Sequence, residues 1–157
     1  MKKDTECVSS ADTDQRHQFG HSIGLVGRLW RLEIDRRLAP FGLTEARWRI
    51  LLTLARAAEP LQQKTLAEYV GVQGPTLVRT LDALAHEGLL ERRADTEDKR
   101  ARSIHLTPLA EPILAHIDAA LRAVREDIFV DIPPEDVGTC LRVFDQLLTN
   151  LSPNTGR

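Results

Sequence analysis

The stretch Gly74-Pro75-Thr76-Leu77-Val78-Arg79-Thr80-Leu81-Asp82-Ala83-Leu84-Ala85-His86-Glu87-Gly88-Leu89-Leu90-Glu91-Arg92-Arg93 changes its apolar period part-way along. Up to Gly88 the period is helical: at about 100° per residue, Leu77, Leu81, Leu84 and Gly88 fall on one side, and Thr76, Arg79, Thr80 and Ala83 are assigned to the other. A helix is predicted from about Gln73 to His86. After Gly88 the period drops to two. Leu89-Leu90-Glu91-Arg92-Arg93 and Ser103-Ile104-His105-Leu106 flank a highly charged turn from Ala94 to Arg100, as two strands of a hairpin do. A shorter helix, about Gln63 to Tyr69, precedes the stretch and is broken by Gly71. Two short helices followed by a hairpin make a winged helix-turn-helix.

Outward from this centre the chain is helical. Ile23, Val26, Trp30, Ile34 and Leu38 recur at three- and four-residue intervals, predicting a first helix from about Gln15 to Leu38 that Pro40 and Gly42 end. A second starts at Thr44, whose hydroxyl can cap it, and carries Trp48, Leu51, Leu52 and Leu54 inward. Beyond the hairpin, Thr107-Pro108 opens a helix to about Phe129, with Pro112 close enough to its start to be tolerated. Pro133-Pro134 separates it from a last helix, about Glu135 to Leu151, bearing Val137, Leu141, Phe144, Leu147 and Leu148. The expected class is mainly α (α+β): a polar arm over 1–14, one domain over 15–151 with a winged lobe at 44–107, and a tail over 152–157. The apolar stripes of 15–42 and 108–151 suit either an ordinary monomeric core or a helical dimer interface. The second has a use, because paired recognition helices one DNA turn apart read a palindrome.

With 157 residues the chain has room for one domain and no second, catalytic one. Its apolar runs are shorter than a bilayer-spanning helix, and Met1 to Asp14 lacks a secretion signal's apolar core, so a cytoplasmic protein without membrane contact is expected. Cys7 and Cys140 have no partner at metal-ligand spacing, and Cys140 reads as a partly buried helix residue. His17 and His21 have the i,i+4 spacing of metal ligands, with no glutamate between them and no third ligand. There is no nucleophile elbow, phosphate loop or catalytic carboxylate pair. The chain therefore reads as a non-enzyme without a cofactor.

The net charge of −2 conceals a polarised molecule. Arg28 to Arg49 holds six basic and three acidic residues, whereas Ala110 to Arg157 holds four basic and eight acidic ones. Phosphate attraction depends on where the positive charges lie, so the total does not exclude DNA. The helix after Gly71 has short side chains and one long cation on its outer face. Such a face fits the major groove of double-stranded DNA, where an arginine reaches guanine O6 and N7. The hairpin adds Arg92, Arg93, Lys99, Arg100 and Arg102, and a wing arginine suits the narrow minor groove. Asp95, Glu97 and Asp98 reduce the hairpin's net field, so pairing within the turn, with Arg100 left to approach DNA, explains them better than a uniform electrostatic grip. An interaction module that kept the shape without reading DNA is the rival.

Gly74 to Asp82, Glu87-Gly88-Leu89-Leu90, Asp98-Lys99-Arg100-Ala101 and Leu106-Thr107, in this order, resemble the MarR family of bacterial transcriptional regulators. Arg28-Leu29-Trp30-Arg31, Asp35-Arg36-Arg37-Leu38, Gly42-Leu43-Thr44 and Ala110-Glu111-Pro112-Ile113 are most similar to its SlyA-like branch. The likeness covers roughly residues 25–148. It implies a ligand-responsive homodimer made by the first and last helices, acting at palindromic operators, and DNA contacts by Pro75, Thr76, Arg79, Thr80 and Arg100, to which the charge of the hairpin adds Arg102. Repression is the default, because covering a promoter needs no polymerase contact, and activation by displacing other DNA-bound proteins is the alternative that the branch offers. Lys99 stands where the branch commonly has arginine, which keeps the charge and loses the planar fork. The resemblance also implies a pocket for a small aromatic carboxylate effector at Arg28, Arg31 and Trp48; core packing and local ion pairs are the alternative for those three. Neither cysteine matches the reactive thiol of the family's peroxide sensors.

Overall fold

A computed structural model of the chain describes residues 10–71, 74–94 and 102–152, with side chains from 13 onward. The predicted wing residues Lys99 and Arg100, with Asp95, Glu97 and Asp98, lie outside the described residues. The chain divides into two compact units, Met1–Val124 and Arg125–Arg157.

The first unit opens with α1 (Ser10–Leu38), which begins ahead of the predicted Gln15. Pro40 cannot donate a backbone hydrogen bond, and a 3-10 turn (Ala39–Phe41) replaces the helix there before Gly42 turns left-handed at φ 69°. The next helix is α2 (Glu45–Arg56), with Thr44 in the N-cap position. The Thr44 side chain makes no capping bond, contrary to the sequence expectation. A strand the periodicity did not reveal comes next, β1 (Leu61–Gln62), then α3 (Gln63–Val70) and α4 (Gly74–His86). The hairpin is β2 (Leu90–Ala94) and β3 (Arg102–Leu106). The three strands form an antiparallel sheet in the order β1-β3-β2, with Leu61 opposite Ile104 and Leu90 opposite Leu106. Two residues are too few to show alternation, so β1 is defined only by its pairing with β3.

Gly88 makes the switch from helix to strand. Its φ of 74° is left-handed, and Leu109 Cδ1 would lie 3.2 Å from a Cβ placed there. Leu89 N–H donates to Leu84 O at 3.0 Å and Gly88 N–H to Ala85 O at 2.9 Å, the paired bonds that close a helix on a glycine. Thr107 fastens the turn to the end of β3, its hydroxyl donating to Gly88 O at 2.5 Å and its N–H to Leu89 O at 3.1 Å. That hydroxyl does not cap the next element, a 3-10 turn (Pro108–Ala110) leading into α5 (Glu111–Ile128).

The core gathers one face from each element. Leu38, Ile50, Leu51, Leu66, Val70, Leu77, Leu81, Leu84, Leu90, Ile104, Ile117 and Val124 are almost entirely excluded from solvent, and no polar residue is buried among the described residues. All of these lie in the first unit. Among the described side chains of α1 only Ile34 and Leu38 are buried; Leu25, Val26, Leu29 and Leu32 are exposed. The second unit holds the end of α5 and α6 (Pro134–Leu151). No residue of α6 is buried; Leu141, Val143, Leu148 and Leu151 are exposed, and so is Cys140, which the sequence reading placed as partly buried.

Candidate nucleic-acid interface

The buried Leu77, Leu81 and Leu84 anchor α4 to the core and so determine which side of it faces out. At about 100° per residue, Pro75, Arg79 and His86 stand opposite that line, and all three are exposed. Thr76 and Asp82 flank them, also exposed. Thr80 was expected on this outer face and instead sits at its edge, half-buried. Its hydroxyl donates to Thr76 O at 2.9 Å, which leaves the oxygen as an acceptor toward any outside group. Val78, which sequence reasoning passed over, is an exposed apolar side chain on α4. Its place about 100° around the helix from Leu77, off the line of the buried leucines, was the available signal.

The basic residues around α4 separate into two kinds. Arg92 reaches back from β2 to Asp82, Nη1 to Oδ1 at 2.7 Å, and its Nε is buried without a partner. Arg93 bonds Glu91 on its own strand, with Nε donating at 2.7 Å. Both charges are thus neutralised locally, which narrows the set of five wing cations expected from sequence. Arg79 and Arg102 are exposed and make no ion pair with a described residue. A guanidinium already spent on a carboxylate has little left for phosphate, so of these four arginines Arg79 and Arg102 keep their charge for an outside group; Arg56 on α2 and Lys64 on α3 are further exposed cations of the described lobe.

A third arginine, Arg47, acts over a longer span. From the first turn of α2 it makes a two-pronged ion pair with Glu87, the residue after α4, with Nη1 donating to Oε1 at 2.8 Å and Nη2 to Oε2. The guanidinium holds the Glu87 carboxyl below the usual carboxylate range, and Glu87 in turn raises Arg47. Forty positions separate the partners, so nothing local in the sequence announces the pair.

The winged lobe with these exposed groups matches known proteins. The model of the MarR family matches residues 41–101. The chain is 44% identical to transcriptional regulator PA3341, whose crystal structure it superposes on with a TM-score of 0.79, over 85% of this chain and 97% of that one. The chain belongs to the MarR family. As a MarR-family member it is a transcriptional regulator of a DNA-binding class, not an enzyme. The same fold occurs in a MarR-family regulator from Silicibacter pomeroyi (24% identity, TM-score 0.75, over 87% of this chain and 92% of that one). It occurs also in the regulator BldR from Sulfolobus solfataricus (23%, 0.76, 88% and 98%).

The three residues expected around an effector stand on α1 and α2 of this MarR-family chain. Arg28 is exposed and makes no ion pair with a described residue. Arg31 lies 3.5 Å from Glu45. Trp48 is 5% exposed, and its Nε1 donates to Asp35 at 2.6 Å. The indole therefore joins α2 to α1 in the core and does not line an open surface. A cleft of about 400 Å³ beside it is lined by Asp35, Ala39, Gly42, Leu43, Thr44 and Glu45, two of them carboxylates.

Proposed function

We propose that the chain is a sequence-specific repressor that binds palindromic double-stranded DNA as a homodimer, placing α4 in the major groove. The observation that carries this is Arg79: it stands on the outer face of α4, opposite the buried leucines, with its guanidinium uncommitted to any described carboxylate. It is the group for guanine, while Pro75 and Thr76 allow close approach and Thr80 offers an acceptor. Arg102 and Arg100 serve the wing. The likeness at 28–31, 35–38, 42–44 and 110–113 supports placement in the SlyA-like branch.

The dimer reading draws on the apolar side chains that α1 and α6 each leave in solvent. No described helix is long and apolar enough to cross a membrane, which accords with a regulator at work in the cytoplasm. Repression is the simpler outcome, since covering a promoter requires no contact with polymerase.

Ligand response is the second part of the reading. Arg28 and Arg31 lie three residues apart on one side of α1 and can share a small aromatic carboxylate, with Arg31 exchanging its long contact to Glu45. Trp48 then reports on the α1–α2 junction, since its ring is already covered. Titration with benzoate should change Trp48 fluorescence and release bound DNA, and Arg28→Ala should abolish both responses; release that persists in the variant would remove Arg28 from the site.

The primary test is selection from a random-sequence duplex pool by the purified protein at physiological salt. Enrichment of a palindrome supports the reading, and Arg79→Ala should then lose preference for it over random DNA by about tenfold or more. Equal weakening on both DNAs would make Arg79 a phosphate contact, and a pool left unenriched would refute sequence-specific reading.

A further inference from the structure

We propose that Arg47 and Glu87 are positioning residues for DNA reading: their ion pair holds the C-terminal end of α4 against α2 and so sets where the opposite end of that helix enters the groove. The inference rests on α4 being the reading helix.

Each charge stands where its own helix disfavours it. Arg47 is a cation in the first turn of α2, and Glu87 is an anion at the C-terminal end of α4; the helix dipole opposes both. Neither helix is improved by its own residue, so the gain from these charges lies in joining the two helices. The geometry fits that role. The guanidinium engages both carboxylate oxygens, a contact that resists rotation as a single bond does not, and the Arg47 side chain is only 20% exposed with its Nε buried and unpartnered.

Leverage makes the position matter. With 13 residues at about 1.5 Å each, α4 is roughly 20 Å long, so a tilt of about 5° at Glu87 moves Pro75 by roughly 1.5 Å. Base-edge hydrogen bonds, with an acceptable span of only about 0.5 Å, would not survive that shift unaltered. Phosphate attraction, which varies slowly with distance, largely would. Loss of the pair should therefore reduce discrimination more than general affinity. The Gly88 turn and Thr107 hold the same helix end along the sheet, and Arg47 alone ties it to α2 through a side-chain ion pair among the described residues.

The experiment compares binding to the sequence enriched by the wild-type protein with binding to random duplex, for R47M, E87Q, R47K and the exchanged R47E/E87R variant, with Tm recorded for each. R47M and E87Q should lower the ratio of the two affinities by about tenfold, the order of one lost base contact, while affinity for random duplex stays within about twofold. R47E/E87R should restore the ratio, because the exchange also places each charge at the helix end that favours it. R47K should fall between, keeping charge without the fork and keeping the fold if R47M does not. An unchanged ratio in folded variants, or an exchanged variant no better than the single ones, overturns the proposal. Failure of the wild-type protein to enrich any sequence refutes the DNA-reading assignment itself, and is seen before any variant is made.

Discussion

Gly88 and Trp48 show how single residues hold the frame that presents Arg79. At Gly88 the left-handed φ of 74° favours glycine, and Leu109 Cδ1, at 3.2 Å from the point an alanine methyl would occupy, would have to give by a few tenths of an ångström. Gly88→Ala should cost about 1–2 kcal/mol from the left-handed backbone alone, lowering Tm by several degrees in a thermal scan; a Tm equal to wild type would mean the turn relaxes to another shape. Trp48 combines a buried indole with a hydrogen bond to the half-buried Asp35. Trp48→Phe keeps most of the apolar contact and removes the donor, so a loss of about 1–3 kcal/mol is expected in urea denaturation. A midpoint unmoved from wild type would show that Asp35 finds water instead.

At the scale of elements, charge pairs give α1 and α2 their acid response. Glu33 accepts from Arg36 at 2.7 and 2.8 Å and from Arg37 at 2.8 Å, one helical turn along α1. Hydrogen bonds from Arg36 and then Arg37 lower its carboxyl from 4.5 to about 2. A carboxyl lowered in the folded state binds fewer protons than the unfolded chain does in that interval, so its contribution is complete above 4.5 and is lost as pH falls toward 2. Glu87 shifts in the same direction through Arg47. Glu33→Gln should flatten the fall of the urea midpoint between pH 4.5 and 2; a curve parallel to wild type would show that the pairs are as strong in the unfolded chain. The element pattern itself was largely legible. The helix and strand periods on either side of Gly88 located α4 and the hairpin, whereas β1 and the role of Thr107 depended on partners distant in sequence.

For the whole molecule, the apolar side chains of α1 that the single chain leaves exposed provide the test of assembly. Leu25, Val26, Leu29 and Leu32 occupy one side of the helix, and charge on that side should prevent a partner helix from burying it. If the proposed dimer uses this face, Leu29→Asp should sediment as a monomer where the wild-type protein sediments as a dimer, and should bind the DNA enriched by the wild-type protein much more weakly. A variant that remains dimeric would exclude this face from the interface.

Periodicity, glycine placement and an ordered run of short motifs were enough, from sequence, to establish a winged helix and the family to which the chain belongs, because those signals are local and depend on backbone geometry. They also indicated Arg79, since the angle of a residue on a helix follows from its distance to the buried leucines. Tertiary structure alone decided which cations remain available. Arg92 and Arg47 look alike in sequence to Arg79 and Arg102, and they differ because folding brings Asp82 and Glu87 within hydrogen-bonding reach of them, whereas Arg93 pairs locally with Glu91 two residues away on its own strand. The same holds for Trp48, whose burial against Asp35 is a property of two helices packed together. Charge is written residue by residue, but its use depends on the distance to the opposite charge, and over long stretches of chain only the fold sets that distance.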